Sequence, residues 1–267
     1  MTRLEAGADA GTGIGDAERA QLENDGFVVL RGLFDAAAVL AAAAEAQALL
    51  QREDLTARTN LRARRTWNMA SNGEVLELLD PVVDVSPLCA SLANDPRLVQ
   101  AITALREVPE VALYKDKLIF KPPGTVGYPL HQDYIAWPSF PESFTTAVIA
   151  LDASAQGSGA VEVFRGAHAR GCLAPRDGGF HMLDEKTVAG HERVFLEMEP
   201  GDVAIYGCFM PHRSGINQSG APRRHLLVSY ADGADADGGR RADHYDDFHH
   251  WLREVYGSMG IGDMHFR

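Results

Sequence analysis

From residue 111 to residue 230 the chain is cut into short apolar runs, and that punctuation constrains the fold more than any other feature. Runs rich in β-branched and aromatic residues occupy 111–121, 145–151, 160–164, 194–198, 202–206 and 225–230. Gly- and Pro-bearing turns separate them, the pattern of an antiparallel sandwich or small barrel. The chain upstream has another texture. Gly26 to Leu33 reads as a first strand, and Asp35 as the N-cap of an Ala-rich helix running to about Arg52. Further helices are expected around 74–80, 87–93 and 95–106, the last with Asp95 as cap and Pro96 at its first position. Between them, residues 52–66 carry Arg52, Arg58, Arg62, Arg64 and Arg65 and read as a solvated loop, with a lid over an anionic ligand as the alternative. A polar, Gly-rich stretch, Asp232 to Asp243, leads to a final helical segment around His244 to Tyr256. Residues 1–15, rich in Gly and Ala, read as a disordered tail, and 16–267 as one domain with helices first and a β-barrel after.

Charge and composition narrow the function classes. The formal charge of -12 argues against a nucleic-acid partner, because phosphate binding needs a basic face. No apolar run approaches the roughly 20 residues that span a bilayer, and the first residues lack a signal-peptide pattern. Cys89, Cys172 and Cys208 are too widely spaced for a zinc ribbon or a disulfide scaffold, which fits a reducing cytoplasm.

His131-Gln132-Asp133 is the first set with chemical content. In an extended segment, side chains two apart face the same way, so His131 and Asp133 can reach one metal. Such a pair is common by chance; what strengthens it is a second histidine in Pro211-His212-Arg213-Ser214-Gly215, after the turn and strand Gly201 to Tyr206. Two histidines and one carboxylate make the facial triad of non-haem Fe(II) oxygenases, with three coordination positions left open. Those positions suit a bidentate 2-oxo acid and O2. The distal carboxylate of the oxo acid then needs a cation, best a guanidinium fork. Arg223, 11 residues past His212 at the head of a strand, can fill that role, and Ser214 can add a hydroxyl. Arg224 competes, but strand alternation turns only one of the two inward. His168 reads as a loop histidine bonded to backbone, His225 as packing, and Cys208 as a small buried residue.

Three stretches carry a family resemblance: LIFKPPGTVGYPLHQDYIAWP, GSGAVEVFRGAHARG and GDVAIYGCFMPHRSGINQSGAPRR. Together they resemble the phytanoyl-CoA dioxygenase-like Fe(II)/2-oxoglutarate oxygenases, from GFVVLRGLF at Gly26 to about Tyr230. In that family a Lys-Pro-Pro stretch precedes the HxD pair, as at Lys121-Pro122-Pro123, and the distal His is followed by Ser, Asn and Arg, as at Ser214, Asn217 and Arg223. The chain departs from the family at Gly157-Ser158 and at Arg165, which bears on loop shape more than on metal binding. Asp133 is intact, whereas halogenating relatives have a small residue there. The resemblance implies a double-stranded β-helix (jelly-roll, cupin-like) with flanking helices. It also implies an oxygenase that uses Fe(II), 2-oxoglutarate and O2 to oxidise a C–H bond, most simply by hydroxylation. Its partner is a small molecule, and a monomer or homodimer suffices. A cupin-type metalloenzyme without an oxo acid, or a non-catalytic binding protein on the same barrel, are the rivals.

The substrate is less legible. Lys115, Lys117 and Lys121 are three of only four lysines, and alternation puts them on one face of the 111–121 strand. Leu118 and Phe120 suit the helix-covered side, which turns the lysines toward the barrel interior; lysines guarding an edge strand would look the same. In the ectoine hydroxylases, which the chain also resembles, the positions matching Lys117 and Trp137 help hold substrate. The expectation is a small polar molecule with an anionic group paired by Lys117, walled by Trp137 and Tyr134.

Overall fold

The structure, a computed structural model, describes residues 4–5, 14–233, 235 and 240–266. In chain order the elements are β1 (Leu4–Glu5), α1 (Asp16–Asp25), β2 (Phe27–Leu30), α2 (Ala36–Leu49), α3 (Glu53–Thr56), β3 (Ala63–Asn68) and β4 (Gly73–Leu79). Then follow α4 (Pro87–Ala93), α5 (Pro96–Arg106), β5 (Glu110–Ile119), β6 (Tyr128–His131), β7 (Thr145–Ala150), β8 (Val161–Phe164) and β9 (Arg193–Phe195). The last are β10 (Val203–Gly207), β11 (His212–Ser214), β12 (His225–Asp232) and α6 (Arg240–Ser258).

These strands form two antiparallel sheets. The larger runs β2-β10-β7-β12-β5-β4-β3, with β1 added against β5; the smaller runs β6-β11-β8-β9. From β5 to β8 successive strands alternate between the sheets, and β9 to β12 alternate again, so the chain winds as a double-stranded β-helix. The period of two explains why these runs read as nearly continuous apolar sequence. Ile205, Leu226 and Val228 pack outward against α2 and α5, while Ala204, Tyr206 and Leu227 pack between the sheets. Both faces of β7, β10 and β12 are therefore buried. On β5 the same alternation buries Leu118 under the helices and turns Lys115 and Lys117 inward.

Local chemistry sets the helix starts. The Asp35 carboxylate accepts from the Ala38 N–H at 2.9 Å, and the Asp95 carboxylate from the Arg97 N–H at 2.9 Å, with Pro96 at the first helical position.

Three expectations are corrected. Residues 74–80 are not a helix but mostly strand β4, paired with β3 and, through Leu78 and Leu79, with β5. Glu-Val-Leu-Glu-Leu-Leu has good helix propensity, and pairing against an existing sheet overrides it. The stretch 52–66 is no solvated loop: it holds α3 and the start of β3, with Arg62 buried against the Pro81 carbonyl and Arg64 ion-paired to Asp80 at 2.5 Å. Of the expected tail, residues 1–3 and 6–13 lie outside the described residues, whereas Leu4 and Glu5 pair with Val111 and Glu110. Gly15 caps α1, its N–H donating to the Glu18 carboxylate at 2.8 Å.

Candidate active site

Two short strands of the smaller sheet bring the histidines together. In the β6–β11 pairing His131 lies opposite His212, with ring centroids 4.2 Å apart. Gly127 is needed here, because a Cβ would stand 2.0 Å from the Ser214 carbonyl oxygen. β6 ends at His131, so Asp133 sits in the bend beyond the strand rather than on it. Even so, one ligand atom from each of His131, Asp133 and His212 lies within 4.8 Å of the others, and all three side chains are buried.

The protonation states suit a cation. The Nδ1 of His131 is 2.9 Å from the Pro129 carbonyl and that of His212 is 3.0 Å from the Met210 carbonyl. A carbonyl only accepts, so each Nδ1 carries the proton and each Nε2 keeps its lone pair. Burial pushes both imidazoles below their usual range, so they are neutral near pH 7. Burial pushes the Asp133 carboxyl up, but the charges of Lys115 and Lys117 outweigh it and hold the group well below the carboxylate range. Thr146 Oγ1 donates to its Oδ2 at 3.3 Å. Two neutral imidazoles and one carboxylate, all oriented from behind, fit Fe(II) with part of its coordination sphere open.

Two cavities meet at His131, and both are also lined by Lys117, Arg64, Tyr128 and Leu227. The first, about 200 Å³, is lined by Lys121, Tyr206, His212, Ser214, Arg223 and His225. Arg223 is 2% exposed; its Nη1 lies 2.6 Å from His225 Nδ1, and its Nε has no hydrogen-bond partner among the described residues. Burial pushes the guanidinium down to about 10, still charged at neutral pH. Lys121 Nζ donates to Ser214 Oγ at 3.0 Å, and burial with Arg223 nearby pushes that ammonium down to about 7. The Tyr206 hydroxyl and His225 Nε2 are also buried without hydrogen-bond partners among the described residues. Among those residues Glu77 is the one carboxylate in this lining, against several cations. Unpaired buried donors beside an excess of positive charge are what a bound dicarboxylate would satisfy. Arg224 points the other way, bonded to Asp152 at 2.7 Å and to the Ala43 carbonyl at 2.7 Å.

The second cavity, about 170 Å³, is lined by Lys115, Lys117, Asp133, Trp137, Phe140, Phe180, His244, Phe248 and Trp251 among others. Lys117 and Trp137 both line this cavity. Tyr134 does not: its hydroxyl donates to Glu142 at 3.2 Å, its ring packs on Phe209, and it lines neither cavity. Neighbouring aromatic packing claims it, which periodicity does not reveal.

The sequence places Lys121 on the inward lysine face without a role at the oxo-acid site, and His225 in packing; the structure puts both in the lining of the Arg223 cavity. Gln132, between the two ligand candidates, donates to the Gly171 and Phe209 carbonyls at 2.8 and 2.6 Å and accepts from the Leu173 N–H at 2.7 Å. It ties the 171–173 segment to the metal strand. The α6 side chains carry no motif at all.

A family model described as phytanoyl-CoA dioxygenase (PhyH) matches residues 22–225. A methylphosphonate hydroxylase of Gimesia maris is 33% identical over 135 residues, 51% of this chain and 50% of that protein. A 2-aminoethylphosphonate dioxygenase of an uncultured bacterium is 30% identical over 139 residues, 52% of each. The chain thus spans about half the length of these curated relatives. Among solved structures, the non-heme alpha-ketoglutarate-dependent epimerase SnoN from nogalamycin biosynthesis has a TM-score of 0.69 at 24% identity, covering 81% of this chain and 82% of that one. EctD from S. alaskensis, solved with 2-oxoglutarate and 5-hydroxyectoine, also has a TM-score of 0.69, at 22% identity, covering 87% of this chain and 81% of that one.

Proposed function

The chain belongs to the phytanoyl-CoA dioxygenase family, and from that premise we propose that it is an Fe(II)- and 2-oxoglutarate-dependent dioxygenase that hydroxylates a small organic acid. The observation that carries this reading is the meeting, at His131, of a three-residue donor set and a buried cationic cavity. His131, Asp133 and His212 hold the metal, their orientation kept by the Pro129 and Met210 carbonyls and by Thr146. Bound there, Fe(II) supplies the O2 chemistry: 2-oxoglutarate is converted to succinate and CO2, and the substrate gains an oxygen atom at a C–H bond. Arg223 and Lys121 hold the distal carboxylate of 2-oxoglutarate, with the Ser214 hydroxyl beside them. Val161, Tyr206 and Leu227 exclude water along that cavity. On the other side of His131, Lys117 pairs the anionic group of the substrate and Trp137 walls it. A metal site that used no oxo acid would leave Arg223 and Lys121 buried with no anion to hold.

The names of the phosphonate relatives support an oxyanion as the charged group of the substrate. The net charge of -12 calls for no nucleic-acid partner, and no helix among the described residues is long and apolar enough to cross a membrane. A monomer or homodimer acting in the cytoplasm completes the proposal. The test is succinate release from 2-oxoglutarate by iron-loaded protein in air, across a panel of small phosphonates and carboxylates. Release stimulated by at least one acid, and abolished in His212→Ala, is the expected result. No succinate with any acid, or full release by the variant, would overturn it.

A further inference from the structure

The family match ends at residue 225, yet one wall of the substrate cavity comes from beyond it. α6 turns His244, Phe248 and Trp251 into this cavity, a spacing of four and then three that keeps all three on one helix face. Phe248 and Trp251 stack with centroids 6.0 Å apart and planes 18° apart, and Trp251 packs on Trp137 with centroids 6.5 Å apart, so the three rings make one wall. Buried polar contacts fix the helix there. Arg241 pairs with Asp116 at 2.7 Å, and the Tyr245 hydroxyl donates to Asp80 at 3.2 Å. The aromatic wall is therefore built before any ligand arrives.

Charge on the opposite side decides what the wall faces. Arg64 is paired with Asp80 at 2.5 Å, and Lys115 lies 3.8 Å from Asp133. Lys117 makes no ion pair among the described residues, so it is the cation left for a ligand. Aromatic faces also attract cations, but here the protein supplies them: Arg64 lies 4.8 Å from the Phe248 centroid, and Lys115 4.5 Å from that of Phe144. The three carboxylates of this lining, Asp80, Asp116 and Asp133, already face Arg64, Arg241 and Lys115. A ligand ammonium would find no free carboxylate there among the described residues and would stand beside Lys117.

Resting on the oxygenase reading above, we propose that α6 is the substrate-selecting element, and that the site takes an organic acid with an apolar, ring-bearing body. The anion meets Lys117, and the body lies against the wall that Trp137, Phe248 and Trp251 form together. An acid of one carbon leaves the wall uncovered, and an ammonium-bearing acid meets the wrong charge.

Trp137 and Trp251 are two of the three tryptophans, so quenching of intrinsic fluorescence reports occupancy. The probes are benzylphosphonate, methylphosphonate and benzylammonium, titrated under nitrogen into protein loaded with Fe(II) and 2-oxoglutarate. Covering one aromatic ring should make benzylphosphonate bind roughly tenfold or more tighter than methylphosphonate, with benzylammonium not binding. Phe248→Ala should close that gap without changing methylphosphonate affinity, and Lys117→Met should weaken both phosphonates. Phe248→Leu, which keeps bulk without the ring, serves if the alanine variant does not fold. Equal affinity for the two phosphonates, tight binding of benzylammonium, or equal losses for both phosphonates in the Phe248 variants would overturn the proposal. Binding is read without turnover. Benzylphosphonate bound with this selectivity but no succinate formed would sink the oxygenase reading alone, and succinate formed only with methylphosphonate would sink this one alone.

Discussion

Removal of the Arg223 guanidinium tests the oxo-acid cavity at its deepest point. The side chain is 2% exposed, its Nε has no hydrogen-bond partner among the described residues, and its neighbour His225 is a neutral imidazole. Among those residues no carboxylate forms a hydrogen bond or ion pair with it. Truncating one partner of a buried charge-assisted contact costs about 2–5 kcal/mol. Lys121 remains beside Ser214 in Arg223→Ala, so the lower part of that range applies, about 2–3 kcal/mol. The dissociation constant for 2-oxoglutarate should then rise roughly 30- to 150-fold. The assay is calorimetric titration of 2-oxoglutarate into Fe(II)-loaded protein under nitrogen, with iron content measured on the same sample. Thermal melting gives a second readout, because a ligand that binds only the folded state raises the melting temperature by mass action. Wild type should gain stability with 2-oxoglutarate at concentrations where Arg223→Ala does not. Arg223→Lys should fall between, since it keeps the charge and loses the fork. Unchanged affinity in Arg223→Ala, or the same loss in Arg224→Ala, would refute the assignment.

Lys121 is held at about 7 by burial and by Arg223, so its charge is only half present in the empty protein near neutrality. Binding a carboxylate raises it, so this part of the affinity is fully present below about pH 7 and is lost as pH rises through the raised value of the complex; Lys121→Met should flatten the affinity–pH curve above pH 7. His244 is pushed down to about 3 by burial and then by Lys115, from an ordinary 6.5. The unfolded chain therefore takes up a proton there that the folded one refuses, and stability should fall as pH drops from 6.5 toward 3. Urea unfolding of His244→Phe should show a shallower acid loss than wild type, by on the order of a few kcal/mol. Asp35→Ala removes the bond to the Ala38 N–H, and its urea midpoint should report a loss of about 1 kcal/mol with succinate formation unchanged.

The barrel strands were legible because both faces of β7, β10 and β12 are buried, so burial and β-branching coincide in sequence. β4 was not, because Glu74 to Leu79 satisfies a helix as well as a strand and only the partners β3 and β5 decide between them. Arg62 and Arg64 were misplaced for a related reason. An arginine reads as solvated until a carbonyl such as Pro81 or a carboxylate such as Asp80 is known to await it. The site residues separate the same way. Arg223 is singled out from Arg224 by its spacing of 11 residues from His212, a property of the local sequence. Lys121 against Ser214, and the aromatic face of α6 against Trp137, depend on contacts between elements far apart in the chain.

The central claim is that His131, Asp133 and His212 place one iron beside the oxo-acid cavity. The most direct measurement is the iron content and single-turnover succinate yield of wild type and Asp133→Ala, reconstituted side by side with Fe(II) and 2-oxoglutarate and then exposed to air. Wild type should hold one iron per chain and form succinate, with iron largely lost and succinate absent in a folded Asp133→Ala. Full iron occupancy together with undiminished succinate in Asp133→Ala would contradict it.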